Sequence, residues 1–142
     1  MTVSTKGRYA LRVMIDLSEH IDEGYVKLED ISKRQEVSEK FLESILSVLC
    51  RAGIVDSSEN SDGYKLNKSP EEYNVAEILL ITEGQLSPVP CVEKPVNDCP
   101  RYDKCKTVKM WEGLYKTIKD YLGNYTIGDL ANNDVKGYLG DE

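Results

Sequence analysis

The residues with the most distinctive chemistry are four cysteines, at positions 50, 91, 99 and 105, three of them within one short stretch. Thiolates are soft donors that suit iron–sulfur clusters, zinc or copper(I). The intervals between Cys91, Cys99 and Cys105 hold seven and then five residues, unlike the close CxxC pairs of a zinc ribbon. Pro88, Pro90, Pro95 and Pro100 keep this stretch out of regular helix, so separated sulfurs can converge across an irregular loop. Lys94, Arg101, Lys104 and Lys106 favour the thiolate form. The pattern leaves a cluster, zinc and unliganded thiols open. Cys50 falls among apolar residues and reads as a small core residue, with an oxidisable thiol as the alternative. The lone His20 reads as a surface residue. With no CxxC, histidine cluster or phosphate-binding glycine loop, a redox or metal-handling enzyme has little support.

A second constellation runs from Leu28 to Tyr64. Leu28 and Ile31 give one short helix an apolar edge, Glu36-Val37 make a turn, and Ser38 caps the next helix. There Phe41, Leu42, Ile45, Leu46 and Leu49 recur at helical spacing. The opposite face carries Glu39, Lys40, Glu43, Ser44, Ser47 and Arg51, and Gly53 ends the helix. Ile54-Val55 begin a strand, Ser57 to Gly63 form a polar loop, and Tyr64 to Leu66 return. A helix-turn-helix followed by such a hairpin is a winged helix, whose second helix can lie in the DNA major groove. The same spacing also fits any two short amphipathic helices with a hairpin. On the DNA reading, Ser38, Lys40, Glu43 and Ser44 are expected at base edges, and Lys6, Arg8 and Arg51 at phosphates. A carboxylate at position 43 can accept from a cytosine amino group.

The flanking elements must position these two sites. Ser4 or Thr5 caps a first helix with Tyr9, Val13, Met14, Leu17 and Ile21 on one face, and its start carries Lys6, Arg8 and Arg12. Tyr25 to Lys27 can add a strand to the wing. Asn74 caps a helix from Val75 to about Thr82, with Gly84 ending it. After the cysteine loop, Trp111, Leu114, Tyr115, Ile118, Tyr121 and Leu122 form a wide stripe on a helix from about Thr107 to Leu122. A single winged helix cannot cover so much apolar area, so pairing with a second copy is expected. Thr126 caps a short final helix. The division expected is 1–84 for the winged helix, 85–106 for the cysteine loop, and 107–142 for the dimerisation helix and C-terminal segment.

The 142 residues suit one domain, or one domain with a dimerisation arm. The net charge of -7 is unusual for a nucleic-acid binder, but the acids concentrate in loops and toward the C-terminus. Lys6, Arg8, Arg12, Lys33, Arg34, Lys40 and Arg51 gather near the expected DNA face. No apolar run has the length of a membrane span, and the first residues lack a secretory pattern, so the cytoplasm is expected.

The segments KGRYAL, DISKRQ-VS--FLE, AGIV and GYKL, spread between Ser4 and about Asn133, resemble the bacterial winged-helix regulators of the IscR, NsrR and CymR type. Cys99-Pro-Arg-Tyr-Asp-Lys-Cys105, Trp111 and the later TIGDL are similar to the cluster-binding members in particular. The resemblance implies a mainly α fold with a winged helix-turn-helix and a long C-terminal dimerisation helix. It also implies a homodimeric repressor that reads a palindromic double-stranded operator. Cys91, Cys99 and Cys105 would hold a 2Fe–2S or 4Fe–4S cluster. Val108 stands where IscR-like proteins place a histidine ligand, and Arg8 stands where other relatives offer a carboxylate. Glu93, Asp98, Asp103, a partner carboxylate or a small molecule remain as the fourth ligand. The wing lacks the family's Arg-Gly pair and is acidic, so it contributes little affinity or meets a different operator. CymR-like members, controlled by a protein partner, lack the three-cysteine loop. A winged-helix regulator of cysteine or sulfur metabolism without a cluster, controlled by a protein partner or by thiol oxidation, is the alternative.

Overall fold

A computed structural model of the chain describes residues 2–59 and 63–136. The wing tip at 60–62 and the acidic C-terminal residues from 137 onward lie outside the described residues.

Helix α1 (Thr5–Glu19) begins where the Ser4 hydroxyl accepts the Gly7 amide hydrogen at 3.1 Å, satisfying one of the donors that a helix start leaves orphaned. Ala10, Val13, Met14 and Leu17 form its buried face. Ile21, expected on the same stripe, does not join it. The helix stops at Glu19, and Ile21 sits on a single 3-10 turn before Gly24, 39 % exposed. Gly24 takes φ 74°, a left-handed value that halts further winding there.

Strand β1 (Val26–Lys27) leads directly into α2 (Leu28–Gln35). Glu36 closes α2 at φ 56°, and Ser32 secures the turn twice. Its carbonyl accepts the Val37 amide at 3.2 Å, and its hydroxyl donates to the Val37 carbonyl at 2.5 Å. Helix α3 (Glu39–Arg51) then starts with the Ser38 hydroxyl accepting from the Phe41 amide at 3.2 Å. Leu42, Ile45, Leu46 and Leu49 are all fully buried, each worth about 1.5–3 kcal/mol relative to exposure.

The hairpin of β2 (Val55–Ser57) and β3 (Gly63–Leu66) completes a sheet in the order β1-β3-β2, antiparallel throughout. Val26 faces Tyr64, and Val55 faces Leu66. The base of this wing is fastened by Tyr73. Its hydroxyl accepts the amides of Asn67 and Lys68, each at 3.0 Å, and donates to the Ile54 carbonyl at 2.9 Å.

Helix α4 (Val75–Glu83) is capped by Asn74, whose side chain also donates to the Gly123 carbonyl at 2.7 Å. Two single 3-10 turns, Pro90–Val92 and Tyr102–Lys104, interrupt the proline-rich loop before α5 (Val108–Gly123). Helix α6 (Ile127–Ala131) opens on a capping box between Thr126 and Asp129. Ile127 is fully buried in the same core as α1 and α3, so α6 packs beneath its own winged helix. The architecture is the mainly helical winged helix expected.

Candidate nucleic-acid interface and cysteine loop

Helix α3 is held by its buried apolar stripe, and a polar network ties α2, the helix before it, to α1. The network centres on Asp16, 1 % exposed on the inner side of α1. Arg34 grips its carboxylate with Nε at 2.9 Å and a terminal nitrogen at 2.8 Å, and Gln35 Nε2 adds a third bond at 2.9 Å. Such a fork-on-carboxylate pair is stronger and more directional than a neutral hydrogen bond. Arg12 in turn donates to Gln35 Oε1 at 3.1 Å and to the Gln35 carbonyl, with its guanidinium 4.6 Å from the Tyr9 ring centre. Tyr9 meets Phe41 of α3 edge-on, ring centres 5.7 Å apart. The last turn of α2 is thereby fixed to α1 just before the turn that launches α3.

This arrangement alters the expected basic surface. Arg12 and Arg34 keep part of their surface in solvent but are engaged by Gln35 and Asp16, and the exposed Lys33 pairs with Glu29 at 3.1 Å. Lys40, Glu43, Ser44, Ser47 and Arg51 all stand exposed on the face of α3 opposite its buried stripe. The Ser38 hydroxyl is spent as an acceptor on its own helix, which leaves its hydrogen to donate. The Ser44 hydroxyl donates to the Phe41 carbonyl at 2.7 Å, which leaves its lone pairs to accept. At the start of α1, Lys6 is half-buried and Arg8 exposed, with an Arg8 terminal nitrogen 3.1 Å from the Thr5 hydroxyl. On the wing, the Lys65 ammonium rests 4.7 Å from the centre of the exposed Tyr25 ring.

In the cysteine loop, Cys91 is exposed while Cys99 and Cys105 are half-buried, and all are free thiols. Thr107 holds Cys105 below the usual thiol range through its hydroxyl, 3.4 Å from Sγ, and through its backbone amide. Cys50 lies half-buried against the core, where burial pushes its thiol up. Among the described residues, no three His, Cys, Asp or Glu side chains come together as a metal-binding group. The loop nevertheless holds an unsatisfied donor. Asn97 Oδ1 accepts the Cys99 amide hydrogen at 2.9 Å, but its buried Nδ2 has no partner.

The fold agrees with what comparison finds. Residues 3–133 match the family described as Rrf2, an iron-dependent transcriptional regulator. The chain belongs to the Rrf2 family. A helix-turn-helix-type transcriptional regulator of Neisseria meningitidis serogroup A is 37 % identical over 96 % of this chain and 92 % of its own length. The regulator IscR of Pectobacterium carotovorum is 36 % identical over 94 % of this chain and 80 % of its own. Among solved structures, that of the Bacillus subtilis global cysteine regulator CymR superposes with a TM-score of 0.74 at 32 % identity, covering 93 % of this chain and 97 % of its own. These Rrf2-type relatives are transcriptional regulators, not enzymes, and regulators of this family bind DNA. Among the described residues no helix is long and apolar enough to cross a membrane.

Asp16 was the functional support least expected from the sequence. A carboxylate between Val13 and Leu17 on an apolar helical face was the available signal, because buried acids require partners. Its partners, Arg34 and Gln35, are instead read from the chain as ordinary polar helix residues.

Proposed function

We propose that this chain is a cytoplasmic, homodimeric repressor that reads a palindromic operator through α3. Its occupancy would be set by an iron–sulfur cluster held by Cys91, Cys99 and Cys105. The observation carrying the DNA part is the division of α3 into a fully buried apolar stripe and an exposed polar face. On that face Lys40, Glu43 and Ser44 reach base edges with Ser38, while Lys6, Arg8 and Arg51 hold phosphates. Glu43→Ala is expected to relax preference at one base pair by about 1–3 kcal/mol. An unchanged binding profile across operator variants would refute that assignment.

Dimer formation is supported by α5. Trp111, Leu114, Tyr115, Ile118 and Leu122 are only half-buried, and Met110 and Tyr121 are 56 % and 47 % exposed. A second α5 is the natural cover for this face.

The donor set fits a cluster by its chemistry: three free soft sulfurs, one with its thiolate favoured, and an orphaned amide donor two residues from Cys99. An unpaired buried donor costs about 1–3 kcal/mol, which an accepting group in the loop would recover. The described sulfurs are not gathered, so the loop must draw in around its ligand. A bound cluster would supply a group whose loss or oxidation reports iron supply or reactive small molecules. The test is a visible spectrum, with iron and sulfide assays, on protein purified without oxygen. Brown protein that pales when any of the three cysteines becomes alanine would support the cluster. Colourless protein without iron after reconstitution would exclude it.

The ungathered thiols also favour a second reading, control by thiol oxidation or by a protein partner. A colourless protein that copurifies with a partner, or loses operator affinity on mild oxidation, would select it.

A further inference from the structure

We propose that Glu83 couples the cysteine loop to the DNA-facing end of α1. The inference rests on the reading above that α1 meets DNA through Lys6 and Arg8 and that the loop is the controlled element.

Glu83 is the last residue of α4; Gly84, at φ 84°, ends the helix, and Gln85 opens the loop. The Glu83 carboxylate turns away from its own helix and accepts the Ser4 amide hydrogen at 2.5 Å. Ser4 is the cap of α1. An anion at a helix C-terminus is poorly placed with respect to that helix, whereas one at an N-terminus is well placed. The carboxylate's favourable field therefore comes from α1.

Gly7 shows how tightly the two helix ends meet. A β-carbon there would lie 2.6 Å from the same Glu83 oxygen and 3.2 Å from the Thr82 hydroxyl. Lys6 and Arg8 flank Gly7, so the phosphate-facing side chains ride on the turn that Glu83 holds. Beside this contact lies a cavity of about 400 Å³ between Val3, Leu86, Ile118 and Leu122. It gives the first loop residues room to shift. Drawing the loop in around a ligand, or oxidising it, pulls on Gln85 and hence on Glu83. The α1 end then moves relative to α3, and the spacing of their DNA contacts changes.

Coupling between sites is reciprocal, so DNA must also be felt at the loop. The experiment uses full-length, cluster-free protein and a duplex selected from a random pool. Alkylation of Cys91, Cys99 and Cys105 by iodoacetamide is followed by mass spectrometry, with and without saturating duplex. In wild type, DNA is expected to change at least one rate by about fivefold or more, the lower end of typical coupling. Glu83→Ala, still bound to DNA at saturation, should lose that change. Glu83→Gln, which keeps an acceptor oxygen, should retain most of it. Gly7→Ala, whose β-carbon would displace the Glu83 carboxylate from the Ser4 amide, should behave like Glu83→Ala, and circular dichroism verifies that each variant is folded. An equal change in wild type and Glu83→Ala, or no change in wild type with DNA bound, would overturn the coupling. Failure of both cluster-free and cluster-reconstituted wild type to select any duplex would instead overturn the DNA reading and the coupling with it.

Discussion

Helices α3 and α5 both carry apolar stripes, but the chain treats them differently. In α3 four large side chains are fully buried; in the longer α5 only Val108 is buried. The winged helix closes its core within one chain, with α1, α3, the sheet and α6 sharing it. The cysteine loop and α5 enclose little, and the loop buries only Val92 of its residues. One half is closed within the chain. The other half leaves most of its apolar side chains only half-buried within the chain, as the proposed dimer and signal-responsive loop would require.

The sharpest way to break this contrast is to cut into the finished half. Leu42→Ala should destabilise the protein by about 2–5 kcal/mol, measured by urea denaturation, with secondary structure retained in native buffer. Next comes the polar network. Arg34→Leu leaves the buried Asp16 carboxylate without its main partner, at a cost of about 3 kcal/mol, and should weaken DNA binding beyond what the lost stability explains. A loss below about 0.5 kcal/mol, within the range of an ordinary surface change, would show that the network does not fix α2.

In the unfinished half the effect should fall on assembly. Tyr121→Asp is expected to weaken the dimer by about 2 kcal/mol, the scale of an interface hot spot, as read by sedimentation at several concentrations. A dimer of unchanged affinity would move the interface away from α5. The smallest effect separates the thiols. Cys105, held low by Thr107, gains its reactive thiolate at lower pH than an ordinary cysteine. Cys50, raised by burial, gains it only at higher pH. Alkylation should therefore reach Cys105 near neutral pH while Cys50 stays unmodified, and Thr107→Val should narrow the gap.

The same contrast governs what the sequence makes legible. The α3 stripe, the Ser38, Asn74 and Thr126 caps and the Gly53 and Gly84 stops are local features, written within a few residues of where they act. Resemblance supplied the family. Long-range polar partnerships were not legible: Asp16 with Arg34, and Glu83 with Ser4, join residues far apart in sequence that look solvated when read alone. The pairing of Arg12 and Arg34 with Gln35 and Asp16 is hidden for that reason, and Ile21 lies past a helix end that Gly24 enforces. The cysteine loop was legible as a donor set but not as a geometry, because nothing regular in it fixes where the sulfurs point.

On the proposed function, the state of the cysteine loop sets operator affinity. The most direct measurement is the anisotropy of a labelled duplex, selected from a random pool, titrated without oxygen with cluster-reconstituted and cluster-free protein. The account predicts affinities differing by about fivefold or more, within the usual range of coupling between sites, with the difference abolished by Cys105→Ala. Equal affinities of a demonstrably loaded and a cluster-free protein would contradict it.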